Sequence, residues 1–411
     1  MITVGDLGLE EDKVLKSMVL AAKWLAEIAQ VKTESLTVEK NPGRLLHKYW
    51  KGAIRGEYRV AEKTWSFFCP IWHTGQAVKA LVLAYHVTGI EEFLESAILG
   101  AEFILHERVS DPNDPDYGLI FGYEDLGYAV NTSAILECLD GLIYLSKATS
   151  DKTYWDAVID ALEWLSKKAY INGTGIFRDV YNPSTRSFIK APWYREGLEG
   201  RPLLDDGIFL KGFLKTSKEH FRKIFYETAE KLLQDEYPPG NWVKYPPSDV
   251  NHGILHPRMA YWWGRPMVMA YLDSKEKRFL DCAIRAGDWY TKAQRRDGGL
   301  FRHTYIDFST ECFGHETSGI ACASILWLEL MEVFGNERYL KPLEKAIKFC
   351  MRVQFTKPLD PNLKGCILSK VLPPDGSDKS PYHIRDLATI FYVQATAKLL
   401  EPKYRLEINM I

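Results

Sequence analysis

Residues 149–164, TSDKTYWDAVIDALEW, decide the fold, because their pattern returns five more times along the chain. From Thr149, an apolar residue stands five positions on (Tyr154), a small one twelve on (Ala161) and an aromatic one fifteen on (Trp164). Counting likewise from Leu9, Thr88, Thr216, Ser274 and Phe334, the fifth position holds Val14, Phe93, Phe221, Phe279 and Tyr339. The twelfth holds Ala21, Gly100, Thr228, Ala286 and Ala346, and the fifteenth Trp24, Phe103, Lys231, Trp289 and Phe349, so Lys231 alone breaks the aromatic position. These offsets share one stripe of a 3.6-residue helix, which makes each copy an amphipathic helix with a small residue for close approach. The copies recur about every 60 residues after a longer first interval, so each period has room for a second helix.

That second helix is more apolar. Candidates lie at 74–87, 129–147, 205–215, 257–272, 316–334 and 384–400. Ile320–Leu330, IACASILWLEL, is apolar nearly all round, as a helix buried on both sides must be. Six amphipathic and six buried helices in alternation predict an all-α (α/α)6 toroid in a single domain spanning 1–411. Connections from buried to amphipathic helix are a few residues long, as at Thr88–Glu92 and Asp273–Lys277. The reverse connections are long: 31–73, 107–128, 169–204, 234–256, 295–315 and 355–383. All six long loops should emerge on one face, where binding and chemistry concentrate around a rigid scaffold.

Composition removes several function classes. A net charge of −2 leaves no electrostatic footprint for nucleic acid or an anionic membrane. No apolar run reaches the length of a membrane span, and the start, MITVGDLGLEEDK, lacks a basic stretch followed by an apolar one. Seven scattered cysteines fit reduced thiols, so a cytoplasmic location is expected. The phosphate-binding, dinucleotide-binding and HExxH zinc motifs are absent, and the cysteines show no CxxC spacing. His252 and His256 are four apart, but Gly253 and Pro257 break a regular helix there, which favours loop or binding histidines. Neither a cofactor nor a metal is expected.

The candidate site lies where the long loops run into the buried helices. The six openings are Trp72-His73-Thr74-Gly75; Glu124-Asp125-Leu126-Gly127-Tyr128; Arg201 with Asp205 and Asp206; His256-Pro257-Arg258 with Trp262, Trp263 and Arg265; His315-Glu316-Thr317-Ser318; and His383-Ile384-Arg385-Asp386. Any one such residue has a structural explanation, since an Asp at a helix start commonly caps it. Their coincidence at all six openings points to sugar recognition: aromatic plates for C–H faces, carboxylates for hydroxyl edges.

These openings resemble those of the unsaturated glucuronyl hydrolases and unsaturated rhamnogalacturonyl hydrolases. Trp72-x-x-Gly75, Tyr85-His86-Val87-Thr88-Gly89, Asp125-Leu126-Gly127-Tyr128, Asp205 eight residues before Phe213-Leu214, Trp263-Gly264-Arg265, Thr317-Ser318-Gly319-Ile320-Ala321 and Asp386 before Phe391-Tyr392 carry the likeness across roughly 65–400. Glu124 stands where that family has His, and Pro266, Met267 and Met269 stand where it has Gly, an amide and Trp. The resemblance implies a toroid that acts on a sugar whose C4–C5 bond a lyase has left double. Protonation at C4 gives an oxocarbenium at C5, water adds there, and the hemiketal opens and releases the next sugar. One carboxylic acid can supply the proton and then activate the water.

Asp205, or the adjacent Asp206, is the expected acid, kept protonated by the carboxylate next to it or by Asp125 across the cavity. Arg265, Arg385 or Arg201 would hold the substrate carboxylate. Trp72, Trp262 and Trp263 are the candidate plates, and His73, Tyr128, His256, His315, Glu316, His383 and Asp386 complete the expected oligosaccharide-binding set. Four alternatives stay open. They are a two-carboxylate glycosidase, a histidine-dependent sugar epimerase, a noncatalytic carbohydrate-binding protein, and a terpene-cyclase-like toroid suggested by Gln294-Arg295-Arg296-Asp297-Gly298.

Overall fold

Twelve main helices alternate between two rings in the computed structural model, which describes residues 2–36, 39–40, 46–124, 126–191, 193–194, 198–312, 314–335, 337–369 and 383–411. They are α1 (Glu11–Lys23), α2 (Pro70–Thr88), α3 (Glu91–His106), α4 (Thr132–Thr149), α5 (Lys152–Trp164), α6 (Ile208–Thr216), α7 (Glu219–Asp235), α8 (Pro266–Ser274), α9 (Lys277–Ala293), α10 (Thr317–Phe334), α11 (Leu340–Arg352) and α12 (Leu387–Leu400). The even-numbered helices form the inner ring, and α12 packs back onto α2 to close it. The chain is thus an (α/α)6 toroid, as the repeat predicts.

The outer helices bury the predicted stripe. Val14, Phe93, Phe221 and Phe279 are fully enclosed, as are Trp24, Phe103, Trp164 and Trp289. The small position has a steric cause: a Cβ on Gly100 would meet Val78 and Thr74 of α2. Lys231, the exception, stays half-exposed and pairs with Asp235 one turn on at 3.0 Å. Among the described residues α10 is the one helix long and apolar enough to cross a membrane, and 83% of that stretch is buried inside the protein. Ahead of α8, Ala260–Gly264 forms a wide π-type turn, and Pro266 occupies the first turn of α8. A proline lacking its N–H is tolerated at that position.

The long connections carry short strands on one face. β1 (Glu39–Lys40), β2 (Gly56–Arg59) and β3 (Thr64–Phe67) join a strand from the last loop, His383–Arg385, in one four-stranded sheet. That sheet pins the first long loop to the sixth, with Tyr58 opposite Ile384. The other long loops are braced by two-stranded and three-stranded ladders of the same kind.

Charged side chains line the toroid's axis, an arrangement foreign to an ordinary core. Lys79 of α2, Asp140 of α4, Lys211 of α6, Arg265 before α8, Glu329 of α10 and Lys398 of α12 all point inward and are buried. Asp206 meets them from the long-loop side, and Glu407, beyond α12, from the other. Lys79 lies 3.1 Å and Lys211 2.6 Å from Glu407, and Arg265 lies 2.8 Å from Glu329. Four cations face four carboxylates, so the buried cluster is neutral, the condition under which buried charge is tolerated.

Candidate active site

A cavity of about 440 Å³ opens on the long-loop face. Its wall includes Trp72 at the start of α2, Trp193 and Arg201 from the third long loop, His256, Arg258 and Trp262 ahead of α8, and Arg302 and Glu316 ahead of α10. Glu137, two turns into α4, also lines it. Three indoles therefore share the wall with three buried carboxyl groups, Glu137, Asp179 and Glu316.

Asp205 lies beside this cavity without lining it. It starts a single 3-10 turn, Asp205–Gly207, in which Asp206 takes a left-handed conformation (φ 51°, ψ 8°). A non-glycine residue there is strained by roughly 1–2 kcal/mol, so the surroundings must hold it. They do. Asp206 accepts from Gln76 at 2.8 Å, Lys79 at 3.2 Å and Arg265 at 2.6 Å. The turn thereby sends two adjacent carboxyls to different places: Asp206 into the axial cluster, Asp205 toward Glu137 and Arg201.

Their acidities separate accordingly. Burial pushes Asp205 up to about 7 against the pull of Arg201, with Asp206 adding to the rise. Burial raises Glu137 well above the usual carboxylate range, and the charges of Asp205 and Glu124 add to it. Burial acts on Asp206 too, but Lys79 and Arg265 overcome it and bring it down to about 2. Burial thus pushes two carboxyls, Glu137 and Asp205, toward the protonated state that a general acid requires. One oxygen of Asp205, Oδ2, is buried without a hydrogen-bond partner in the protein.

Four guanidinium groups reach the cavity. Arg201 donates to Ser133 Oγ at 2.7 Å and to the Pro246 carbonyl at 3.2 Å, with Asp179 at 3.5 Å. Arg302 donates to Glu316 at 2.7 Å, and Arg258 donates to Ser318 Oγ at 2.8 Å. Arg385 stands 3.8 Å over the Phe68 ring. Trp262 is clasped between His256, stacked at 5.3 Å and 5°, and Arg258, whose guanidinium lies 5.1 Å from its ring. Nε of Arg258, Nε of Arg302, Nε1 of Trp262, Oδ1 of Asn131 and Oδ1 of Asp179 are all buried without a hydrogen-bond partner in the protein. Buried polar groups are normally satisfied, so this group of unsatisfied atoms on residues of one cavity wall sets it apart from the rest of the core.

The expected site residues divide. Trp72, Arg201, His256, Trp262, Glu316 and Arg385 line the cavity. His73 and Asp386 form a buried pair at 2.7 Å next to Trp72, and burial outweighs Asp386 in holding the imidazole below its ordinary value. Asp206 and Arg265 belong to the axial cluster, where Arg265 is engaged by Asp206, Glu329 and Glu407 and has no fork left for a substrate carboxylate. Trp263 packs edge-on against Trp242 and Tyr245, away from the cavity. His315 lies against Arg295 and Phe349, and Tyr128 is a surface residue, 53% exposed. Asp125 lies outside the described residues, and of His383 only the strand backbone is described. Gln294 donates to two backbone carbonyls, Gly298 and Pro342, so the Gln-x-x-Asp-Gly stretch braces a turn.

Glu137, Arg302, Asp179 and Trp193 line the cavity but lie outside the six openings, and Arg258 of the fourth opening joins them in the wall. A signal for Glu137 was present, because it and Asp140 interrupt the apolar run 134–145. Arg302, in the middle of the fifth long loop, carried none.

No protein-family model and no curated protein matches this chain. Solved structures do match in fold. One is an unsaturated glucuronyl hydrolase specific for heparin, at 14% identity and a TM-score of 0.70 over 96% of this chain and 99% of that one. Another is the unsaturated glucuronyl hydrolase of Bacillus sp. GL1, responsible for the degradation of glycosaminoglycan, at 13%, 0.68, 96% and 97%. The cellobiose 2-epimerase of Spirochaeta thermophila is similar at 13%, 0.66, 96% and 98%. At such identities the likeness establishes the six-hairpin toroid fold.

Proposed function

We propose that this protein is a carbohydrate-active hydrolase that releases a terminal unsaturated uronic acid from an oligosaccharide by hydrating its C4–C5 double bond. One observation carries the reading: Glu137, buried in the wall of a cavity that three indoles and four arginines share, has its carboxyl raised by burial and by the charge of Asp205. The enol ether needs a proton at carbon and a water at the neighbouring carbon, with no covalent intermediate. Glu137, the member that lines the cavity, hands the proton to C4 and is left as the carboxylate. Positive charge develops at C5, a water attacks there, and the pair takes up the proton the water loses, so the acid is regenerated. The hemiketal then opens and frees the next sugar. Arg258 and Arg302 would bind the uronate carboxylate, and Trp72, Trp193 and Trp262 would stack on the rings. The fold shared with two unsaturated glucuronyl hydrolases supports the same choice.

A second reading has its own observation. His256 lies in the cavity wall stacked on Trp262, and an imidazole there is the kind of group that moves a proton at carbon, as epimerisation requires. One panel separates the two. Unsaturated uronyl disaccharides are followed by loss of the absorbance of the conjugated double bond, and saturated disaccharides such as cellobiose by epimer formation. Turnover of the unsaturated sugars alone is expected. Epimer formation without loss of absorbance would replace the first reading by the second, and turnover of neither would remove both.

A further inference from the structure

Gln76 links helix α4 to the 205–207 turn. Its side-chain nitrogen Nε2 donates to the backbone carbonyl of Glu137 at 2.8 Å and to Asp206 Oδ2 at 2.8 Å. One amide therefore ties the stretch of α4 that carries Glu137 to the strained turn that carries Asp205. The amide is itself clamped. Nε2 of Gln394, on α12, donates to the Gln76 backbone carbonyl at 3.0 Å and to Gln76 Oε1 at 3.1 Å. That contact fixes which end of the Gln76 amide is the donor. The helices bring this about: a Cβ on Gly75 would collide with the backbone of Cys138, so α2 and α4 touch where Gln76 reaches across. Gln76 and Gln394 are both buried, so water does not compete for these bonds.

We infer that Gln76 is a positioning residue, which sets the separation of the Glu137 and Asp205 carboxyls by holding α4 and the 205–207 turn at a fixed distance. The inference rests on the reading of that pair as the proton source. Gln76 does not line the cavity and touches no reacting atom. Its effect passes through Asp206, whose carboxylate it shares with Lys79 and Arg265.

Gln76→Met keeps the length and volume of the side chain and removes the donor. Turnover of the unsaturated disaccharide should fall about 10- to 100-fold, the loss expected from a displacement of ~1 Å. KM should change by less than about threefold, because no residue of the cavity wall is altered. The alkaline limb of the pH profile should move to lower pH, since a looser pair repels less and admits water. Infrared titration of the carboxylate stretch should show the same downward movement without any substrate. A folded Gln76→Met with wild-type kcat, pH limb and carboxylate titration overturns the inference. If that variant does not fold, Gln394→Met removes the clamp and leaves the Gln76 amide in place. It should give a smaller shift of the same sign, and an unchanged profile there overturns the inference equally. Failure of the functional reading looks different: Asp205→Asn would retain turnover, while the infrared shift in Gln76→Met would persist.

Discussion

Asp205 and Asp206 share a peptide bond and occupy opposite electrostatic environments. The left-handed backbone at Asp206 (φ 51°) turns its carboxylate onto Lys79 and Arg265, leaving Asp205 to Glu137 and Arg201. One is driven up to about 7 and the other down to about 2. A single backbone conformation thus places one acid in the axial charge cluster and keeps the other out of it.

Removing either acid of the pair should abolish chemistry and spare the fold. Asp205→Asn and Glu137→Gln should each lower kcat by about 10²–10⁴-fold, the range for general acid–base groups. Neither amide can release a proton to carbon. Thermal melts should show both variants folded, and near-wild-type turnover in both would exclude the pair as the proton source.

Asp206→Asn should behave otherwise. Asparagine still accepts from Gln76 but leaves the axial cluster with one uncompensated positive charge. Breaking a buried pair costs about 3–5 kcal/mol. Denaturant unfolding should register a loss of that order or somewhat less, because Arg265 keeps Glu329 and Glu407. A fully stable Asp206→Asn would mean that the cluster does not hold the turn.

The two acids should also give stability opposite pH dependences. Asp205 has a raised value in the folded protein, so the stability it contributes is complete below the unfolded-state value near 4 and is lost as pH rises through about 7. Asp206 has a lowered value, so its contribution is present above about 4 and is lost as pH falls toward about 2. Urea unfolding of wild type and Asp205→Asn, compared between pH 4 and 7, should show a shallower fall with pH in the variant. Catalysis should follow the protonated form of Glu137, whose carboxyl burial raises well above the usual range, so kcat should decline on the alkaline side.

Substrate charge should be read by Arg302 and Arg258. Arg302→Gln is expected to raise KM for an unsaturated uronyl disaccharide by about 10-fold or more while kcat changes less, since a charge-assisted hydrogen bond contributes about 1.5–3 kcal/mol. The same substitution should leave binding of the uncharged methyl ester nearly unaltered. Equal losses for acid and ester would assign Arg302 to holding Glu316 and His256 alone.

The toroid itself depends on the outer stripe. Phe221→Ala removes an enclosed ring where α7 packs inward and should destabilise by about 3–5 kcal/mol. Thermal unfolding would show it, and a loss below about 1 kcal/mol would argue that this position does not anchor the outer ring.

Much of this architecture was readable because its signals are local. Offsets of five, twelve and fifteen residues lie within one helix, so Tyr154, Ala161 and Trp164 declare their shared face without knowledge of any partner. The alternation of short and long connections then put the long loops at one end of the barrel, and Trp72, Arg201, His256, Trp262, Glu316 and Arg385 line a cavity there. Facing direction was not readable. Trp262 and Trp263 are neighbours in sequence, and a π-type turn, Ala260–Gly264, sends one to the cavity and the other toward Trp242 and Tyr245. Arg265 has the chemistry of a carboxylate receptor, but three acids from distant segments claim it. Glu137 sits inside a helix whose periodicity says only that it is buried. The sequence by itself determined the helices, their alternation and the face on which the long loops gather, because hydrophobic periodicity and loop length are properties of contiguous residues. Which acid holds a proton and which arginine remains for a ligand was decided only by the tertiary structure, because buried charge is set by neighbours that converge from all six inner helices.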